Sequence, residues 1–219
     1  MPKTALQYDL HPGVTRMEKW VGELKTKTGH SLDEWTRLIR RESLKDKKEC
    51  RAWLKSHHKL GTFTATWLAE HAEGKGREED SPEEYLANAV RYVVRQYSGK
   101  KAHLFSIYKE LLALGRSLGN DVKVCPCKTM VPLYRNHVFA QITPATNARV
   151  DLGLCFNTYT GKLPKRLIDT GGMQKKDRIT HRIELTSTEQ IDSDLKRWLH
   201  AAYELDGAPS RRGKSPKLF

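Results

Sequence analysis

Several features that would narrow the function of a protein are absent from this sequence of 219 residues. It has no run of about 18 apolar residues, so no segment is long enough to cross a membrane as a helix. Its first residues show neither an apolar run nor a small-residue cleavage site, and we therefore expect no secretion signal. Reaction signatures such as a glycine-rich phosphate loop, a nucleophile motif or HExxH are also missing. A globular cytoplasmic protein is the resulting expectation.

Cysteine is scarce, with four residues in the chain. This number predicts no disulfide framework and favours a reducing compartment. Cys125 and Cys127 are separated by one residue, which differs from the CxxC spacing of redox pairs. A zinc site at this pair would need further ligands from Cys155, His137 or His181. We interpret the pair as small apolar side chains that fill a strand, and we predict no metal and no cofactor, although the sequence leaves the zinc alternative open.

Basic residues are abundant, because 39 Lys and Arg face 26 Asp and Glu for a net charge of +13. The charge is clustered. Residues 40–59 hold eight basic and three acidic residues, residues 160–182 hold seven and two, and residues 207–219 are also basic. Such clusters attract polyanions, nucleic acid first. The alternative interpretation is a surface that only keeps the protein soluble.

The first third of the chain has the periodicity of short amphipathic helices. Apolar residues recur at helical spacing over residues 14–27, and Ser31 with Glu34 forms a capping box for the next helix. Asp46 is the expected N-cap of a third helix, and a fourth is expected over residues 62–73. Together these segments predict a compact four-helix bundle.

Beyond residue 120 the apolar period changes from helical to alternating. Four strands are expected over residues 130–135, 137–143, 149–156 and 180–187. Helices are expected before them, over residues 82–98 and 104–118, and after them, with a capping box at Ser187 and Gln190. This order predicts an α+β fold, in which helices flank a mainly antiparallel sheet.

The stretch "EGKGREEDSP" separates the two parts and has the composition of a linker. The predicted organisation is a helical bundle over residues 1–73, a linker over 74–81, an α+β module over 82–206 and a disordered basic tail over 207–219.

Two stretches together resemble uncharacterised bacterial modules. "TGHSLDEWTRLIRRE" with "AWLKSHHKLGTFTATWLAEH" is similar to a short helical module. "KTMVPLYRNHVFAQITPATNARVDLGL" with "THRIELTS" and "IDSDLKRWLHAAYEL" is similar to a second module, which also ends some bacterial proteins labelled as predicted transport proteins. The matching positions are Gly29, Trp35, Trp53, Leu54, Gly61, Ala65, Lys128, Asp151, Leu152, Gly153, Leu154, His181, Arg182 and Tyr203. The resemblance implies architecture and carries no established activity.

The leading functional hypothesis is an accessory protein that binds nucleic acid without reading its sequence. Lys47, Arg51 and Lys55 recur at i, i+4 and i+8 on a predicted helix, as expected for contacts to phosphates. The glycine of "KLGTF" then opens a helix, whose first N–H groups can meet a phosphate. The predicted nucleic-acid contacts are Arg40, Arg41, Lys47, Arg51, Lys55, Lys175, Lys176 and Arg178. A solvated charged face is the simpler interpretation of the same residues.

Two alternatives belong to other functional classes. One is a pocket for a small or anionic ligand in the α+β module, formed by Lys128, Asp151, His181 and Arg182, with an enzymatic use left open. The other is an adaptor whose helical bundle docks a partner protein. The sequence selects neither DNA nor RNA and does not determine the oligomeric state.

Overall fold

The computed structural model describes residues 8–75 and 81–207. The chain divides into two compact units. The helical unit comprises Leu10–Asn88, and the described residues of the α+β unit are Tyr8, Asp9 and 89–207. Most of the predicted linker, and the predicted tail beyond residue 207, lie outside the described residues.

The helical unit is built from short helices. They are α1 (Pro12–Gly22), α2 (Leu24–Thr28), α3 (Leu32–Arg41), α4 (Lys47–His58), α5 (Thr62–Ala72) and the first part of α6 (Pro82–Gln96). The single helix expected over residues 14–27 is interrupted at Glu23, which is both the C-cap of α1 and the N-cap of α2. The interruption follows Gly22, a residue that weakens a helix because its backbone is the most flexible.

The predicted helix starts are present. Ser31 accepts a hydrogen bond from the Glu34 backbone N–H at 3.3 Å, and the Glu34 carboxylate accepts the Ser31 N–H at 2.7 Å. Asp46 accepts from the Glu49 N–H at 2.8 Å. At the other end of α4, Lys59 adopts a left-handed conformation and closes the helix. The capping box and the Asp46 cap are thus confirmed.

One aromatic residue anchors the core of this unit. Trp35 is fully buried, and its indole N–H donates to the Thr28 hydroxyl at 2.8 Å, so its polar atom is satisfied inside an apolar environment. The other buried residues of this core are Leu24, Ile39, Cys50, Leu54, Ala65, Trp67, Leu68 and Ala69.

The α+β unit contains a six-stranded sheet in which every neighbouring pair is antiparallel. Its strands are β1 (Lys123–Val124), β2 (Val131–Tyr134), β3 (Val138–Thr146), β4 (Arg149–Leu154), β5 (Ile168–Asp169) and β6 (His181–Leu185), in the order β1-β2-β3-β4-β6-β5. The helices are the second part of α6, α7 (Phe105–Arg116), α8 (Gly172–Lys175) and α9 (Ser193–Gly207). The predicted α+β class is confirmed.

Side chains on β4 alternate between a buried and a polar face, as the pleat requires. Val150, Leu152 and Leu154 are fully buried, and Leu152 lies between Ile142 of β3 and Ile183 of β6. Helices cover the sheet: a Cβ added at Gly115 of α7 would meet Leu133 of β2 at 2.6 Å, and Tyr203 of α9 contacts the Phe139 ring edge-on.

The structure differs from the sequence prediction at several places. The two-residue strand β5 and the short helix α8 were not expected, because such segments are too short to show a period. The strand that was expected to hold Cys125 and Cys127 is β1, and it ends at Val124, before the pair. The expectation that Ser187 caps the last helix was wrong. Its capping box opens a single 3₁₀ turn, Thr188–Gln190, and α9 starts only at Ser193 with the Asp192 carboxylate accepting the Leu195 N–H at 2.9 Å.

Candidate nucleic-acid interface

Four cations line one side of α4, and we call them the basic stripe: Lys47, Lys48, Arg51 and Lys55. At about 100° per residue they lie within one third of the helix circumference, beside the positions of the buried residues Cys50 and Leu54. Lys48, Arg51 and Lys55 are exposed and Lys47 is half-buried. The stripe is therefore a continuous cationic edge along α4.

The cations of the stripe differ in their contacts. Lys47 forms an ion pair with Glu70 of α5. The Lys55 ammonium group donates to the Thr62 hydroxyl at 3.0 Å, at the start of α5. Lys48 and Arg51 form no ion pair with any residue that the structure describes. These two charges are available to an anion from solution.

Arg40 and Arg41 occupy the last turn of α3, and both are exposed. Arg40 shares a shallow groove with Lys45 and Lys47, so α3 and α4 present cations to the same space. The other residues that line this groove are Ile39, Ser43, Leu44, Asp46, Cys50, Ala69, Ala72 and Glu73. The groove extends the basic stripe to α3, while Asp46 and Glu73 reduce its positive potential.

The start of α5 lies beside the stripe. Its N-cap is Gly61, and no side chain accepts a hydrogen bond from the first turn. Phe63 is 59% exposed and makes an edge contact with the Trp20 ring at 5.5 Å. The Lys55 contact to Thr62 brings a cation to this turn.

In the second basic cluster, residues 160–182, two of the predicted nucleic-acid contacts, Lys175 and Arg178, are engaged within the α+β unit. The Lys175 ammonium group donates to the Thr170 carbonyl at 3.1 Å, and Lys176 ends α8 in a left-handed conformation. Arg178 forms an ion pair with Asp206, and its Nε donates to the Val138 carbonyl at 3.0 Å. The Arg178 guanidinium is thus part of the contacts that hold the fold.

Asp206, which the sequence analysis did not single out, lies at the centre of that contact. Its buried carboxylate accepts the backbone N–H groups of Asn136 and His137, each at 2.8 Å, and lies 3.2 Å from His137 Nδ1. A signal existed in the sequence: Asp206 continues the apolar stripe of α9 three residues after Tyr203, where an acid is out of place next to the negative helix end. The carboxylate ties α9 to the turn between β2 and β3.

Two residues of the predicted ligand pocket do come together. Asp151 lies 3.4 Å from Arg182 Nε, on the polar face of the sheet. Arg149 and Glu184 complete a group of four charges, in which Arg149 contacts Asp151 at 2.8 Å and Glu184 at 2.9 Å. Because two cations face two anions, the cluster is internally neutral.

The other two pocket residues lie elsewhere. His181 is paired with Leu154, so its side chain belongs to the opposite face from Arg182. Its Nδ1 lies 3.0 Å from the Thr180 hydroxyl, and burial lowers the pKa of its imidazole against an opposing effect of Asp169. Lys128 is exposed in the turn between β1 and β2.

The cysteine pair lies at the end of β1. Cys125 is fully buried, and burial raises the pKa of its thiol to about 12, so the thiol stays protonated at neutral pH. Cys127 is half-buried, with its Sγ 3.7 Å from the Cys125 carbonyl oxygen. Within residues 8–75 and 81–207, no group of three His, Cys, Asp or Glu side chains is placed to hold a metal ion.

Comparison with known proteins follows the two units. Residues 93–206 match the family described as Domain of unknown function (DUF5655), and residues 17–74 match Domain of unknown function (DUF4287). A search of curated proteins and a search of solved structures each gave no match. Among the helices that the structure describes, none is both long enough and apolar enough to cross a membrane.

The first match covers more than half of the chain, which therefore belongs to the DUF5655 family. The predicted pairing of two uncharacterised modules is confirmed.

Proposed function

We propose that the helical unit binds the phosphate backbone of nucleic acid through the basic stripe, with Arg40 and Arg41 beside it. The observation that carries the proposal is that the exposed arginines of this unit have no ionic partner. None of the described arginines of the helical unit, including Arg51, forms an ion pair, and Arg40, Arg41 and Arg51 are all exposed. Exposed cations without a protein partner release counterions when they meet a polyanion.

The spacing of the stripe suits a repeating anion. Lys48, Arg51 and Lys55 are three or four residues apart, which places them about 4.5 to 6 Å apart along the helix axis. Because their side chains are long and flexible, they can contact successive phosphates of one strand. We expect these cations to contact phosphates, which carry no sequence information, so the binding should be independent of sequence.

The start of α5 supports the same proposal. An N-terminal turn without a side-chain cap offers backbone N–H groups to an anion, and Lys55 is already placed beside it through Thr62. The exposed Phe63 ring adds a surface on which an unpaired base can stack. Lys175 and Lys176 of the α+β unit, together with the basic residues beyond 207, would add affinity without specificity.

The ligand-pocket alternative has weaker support. Asp151 and Arg182 already neutralise each other together with Arg149 and Glu184. His181 projects from the other face of the sheet, and Lys128 lies in a turn at the other edge. We therefore assign no catalytic role to this cluster.

The test is fluorescence anisotropy of labelled single-stranded DNA, duplex DNA and RNA at several salt concentrations. The variant Lys48→Gln, Arg51→Gln, Lys55→Gln removes three charges from the stripe. A matched control, Lys109→Gln, Lys123→Gln, Lys196→Gln, removes three charges from exposed positions of the α+β unit. The wild type should bind with an affinity that falls linearly on a log–log salt plot.

We expect the stripe variant to bind more than tenfold more weakly and its salt slope to fall by about 2 to 3, since each phosphate contact contributes about 0.9 for duplex DNA. The control should keep the wild-type slope. Equal losses in both variants would show an effect of net charge alone and would contradict an interface on α4. Absence of binding by the wild type at low salt would overturn the proposal.

A further inference from the structure

Phe63 differs from the other aromatic residues because the fold leaves it in solvent. Among the Phe, Tyr and Trp residues that the structure describes, Phe63 alone is exposed, at 59%. The Trp20 ring contacts the Phe63 ring, and it also lies 4.9 Å, centroid to centroid, from the ring of the buried Trp67. The Phe63 ring is therefore held from one side by the core and still presents an open surface.

The exposed side of α5 joins the basic stripe to the Phe63 ring. At about 100° per residue, Thr62, Thr66 and Phe63 lie within about 100° of one another around α5. Thr62 accepts the hydrogen bond from Lys55 of α4, and Phe63 contacts Trp20 of α1. This side of the helix therefore has a cation at one edge and an aromatic contact at the other.

Helix α1 adds a second source of positive charge. Arg16 precedes Trp20 by four residues and so lies about 40° from it, on the same side of α1. Arg16 is exposed and forms no ion pair with any residue that the structure describes. Glu18, the acid of this helix, lies about 160° away from Trp20. Cations of two helices thus accompany the aromatic contact.

Single strands and duplexes differ in what they offer to such a surface. In a duplex the bases stack on one another and present only their edges in the grooves, so an exposed ring finds no base face to stack on. A single strand presents the faces of unstacked bases together with its phosphates. Cations alone attract both forms, whereas an exposed ring beside cations favours the single strand.

We propose that the helical unit selects single-stranded nucleic acid by stacking a base on Phe63 while Arg51 and Lys55 contact the adjoining phosphates. The inference rests on the proposed function, because the basic stripe supplies the phosphate contacts. Phe63 selects the class of nucleic acid and not its sequence, since every base has a face that can stack. The contact with Trp20 already restricts the ring, so little side-chain freedom is lost on binding.

The experiment compares four labelled probes of about 12 nucleotides, a length within the range that single-strand sites cover. They are a thymidine strand, a uridine strand, a duplex and a strand of abasic sites, which keeps the phosphates and lacks the bases. Anisotropy is measured at about 0.15 M salt, where contacts between exposed charges are partly screened. The wild type should bind the thymidine and uridine strands at least about fivefold more tightly than the duplex and the abasic strand, as expected for stacking on one ring.

Substitutions at Phe63 separate the ring from the charges. Phe63→Leu should weaken binding to the thymidine and uridine strands at least about fivefold and change binding to the other two probes by less than about twofold. Its salt slope should stay that of the wild type, because no charge is removed. Phe63→Trp keeps an aromatic face and should retain the affinity for single strands. Val94→Ala, at another exposed apolar residue, should bind all four probes like the wild type.

The proposed function and this inference fail in different ways. A wild type that binds none of the four probes at low salt would overturn both. Binding that requires the basic stripe but is unchanged by Phe63→Leu on the two single strands would overturn this inference alone, and so would equal affinity for duplex and single strands. A preference for the thymidine or the uridine strand that Phe63→Leu abolishes would support the inference and assign DNA or RNA. Circular dichroism of each variant should match the wild type.

Discussion

The helical unit and residues 121–207 of the α+β unit use arginine in different ways. Every arginine between residues 121 and 207 forms an ion pair, and the partners include Asp121, Asp151, Asp192, Asp194 and Asp206. In the helical unit, no described arginine has an ionic partner. The segments 40–59 and 160–182 carry the same net charge of +5 in the sequence. At equal charge, the arginines of residues 40–59 are therefore exposed without an ionic partner, whereas those of residues 160–182 are paired within the fold.

The difference shows that clustered charge is evidence for a polyanion partner only after the partners within the chain are known. Arg178 and Arg51 were equivalent candidates by composition. Arg178 is engaged by the buried Asp206 carboxylate, while Arg51 faces solvent without an ionic partner. Substitution of Arg178 should therefore lower stability, whereas substitution of Arg51 should lower binding.

Loss of the Asp206 carboxylate should destabilise the protein most, because this group is the buried partner of Arg178. Asp206→Ala should lower the free energy of unfolding of the α+β unit by about 3 kcal/mol, because Arg178 and the N–H groups of Asn136 and His137 lose a buried acceptor. Hydrogen exchange of peptides that cover β2 and β3, measured in urea, reports this unit. Glu204→Gln, an exposed acid on the same helix, should change it by less than about 0.5 kcal/mol.

Arg178 and Arg51 should differ in their contributions to stability and to nucleic-acid binding. Arg178→Gln should destabilise the α+β unit by about 1 to 2 kcal/mol, since its partner is buried but its own side chain is partly exposed. Arg51→Gln should change stability by less than about 0.5 kcal/mol and should weaken nucleic-acid binding. Urea titrations and anisotropy on both variants make the comparison. If Arg178→Gln loses binding with unchanged stability, the contrast between the units fails.

A smaller effect concerns the helical unit alone. Ser31→Ala should lower its stability by about 1 kcal/mol, because the Glu34 N–H loses its side-chain acceptor. Tryptophan fluorescence in urea measures this, since four of the five tryptophans, Trp20, Trp35, Trp53 and Trp67, lie in the helical unit. Ser31→Thr keeps the hydroxyl and should stay close to the wild type. An equal loss in both variants would show that the cap itself is not responsible.

The stability of the helical unit should depend weakly on pH through Glu34. The Ser31 N–H, and then Lys25, lower the pKa of Glu34 from 4.5 to about 2. The carboxylate therefore stabilises the folded helical unit above pH 4.5, and this contribution is lost as the pH falls towards 2. Glu34→Gln keeps the capping geometry without the charge. Its thermal midpoint should lie slightly below that of the wild type at pH 6 and converge with it near pH 2; a gap that persists would contradict this assignment.

Local interactions account for what could be predicted along the chain. Ser31 with Glu34, and Asp46 with Glu49, act over three residues, so their pattern is visible without a structure. Residues 137–143 lie in β3 almost entirely, as their β-branched and aromatic residues and partial alternation predict. β1 and β5 have two residues each and exist only through their neighbours.

The separation of His181 from Arg182 in the candidate pocket could have been predicted from the sequence. Alternation along a strand already separates His181 from Arg182, since neighbouring residues project to opposite faces. The pairing of Arg182 with Asp151 could not be predicted in this way, because it depends on the register between β4 and β6. No local pattern specifies that register.

Four properties of the protein follow directly from its sequence: the α+β class, the division into a helical and a mixed part, the capping of α3 and α4, and the excess of positive charge. These properties depend on composition and on contacts within about four residues. Which of the charges are neutralised depends instead on long-range packing. An ion pair such as that of Arg178 and Asp206 joins side chains 28 residues apart, and their approach follows from the packing of α9 against the sheet. Whether a charged side chain can bind a partner molecule therefore depends on the fold.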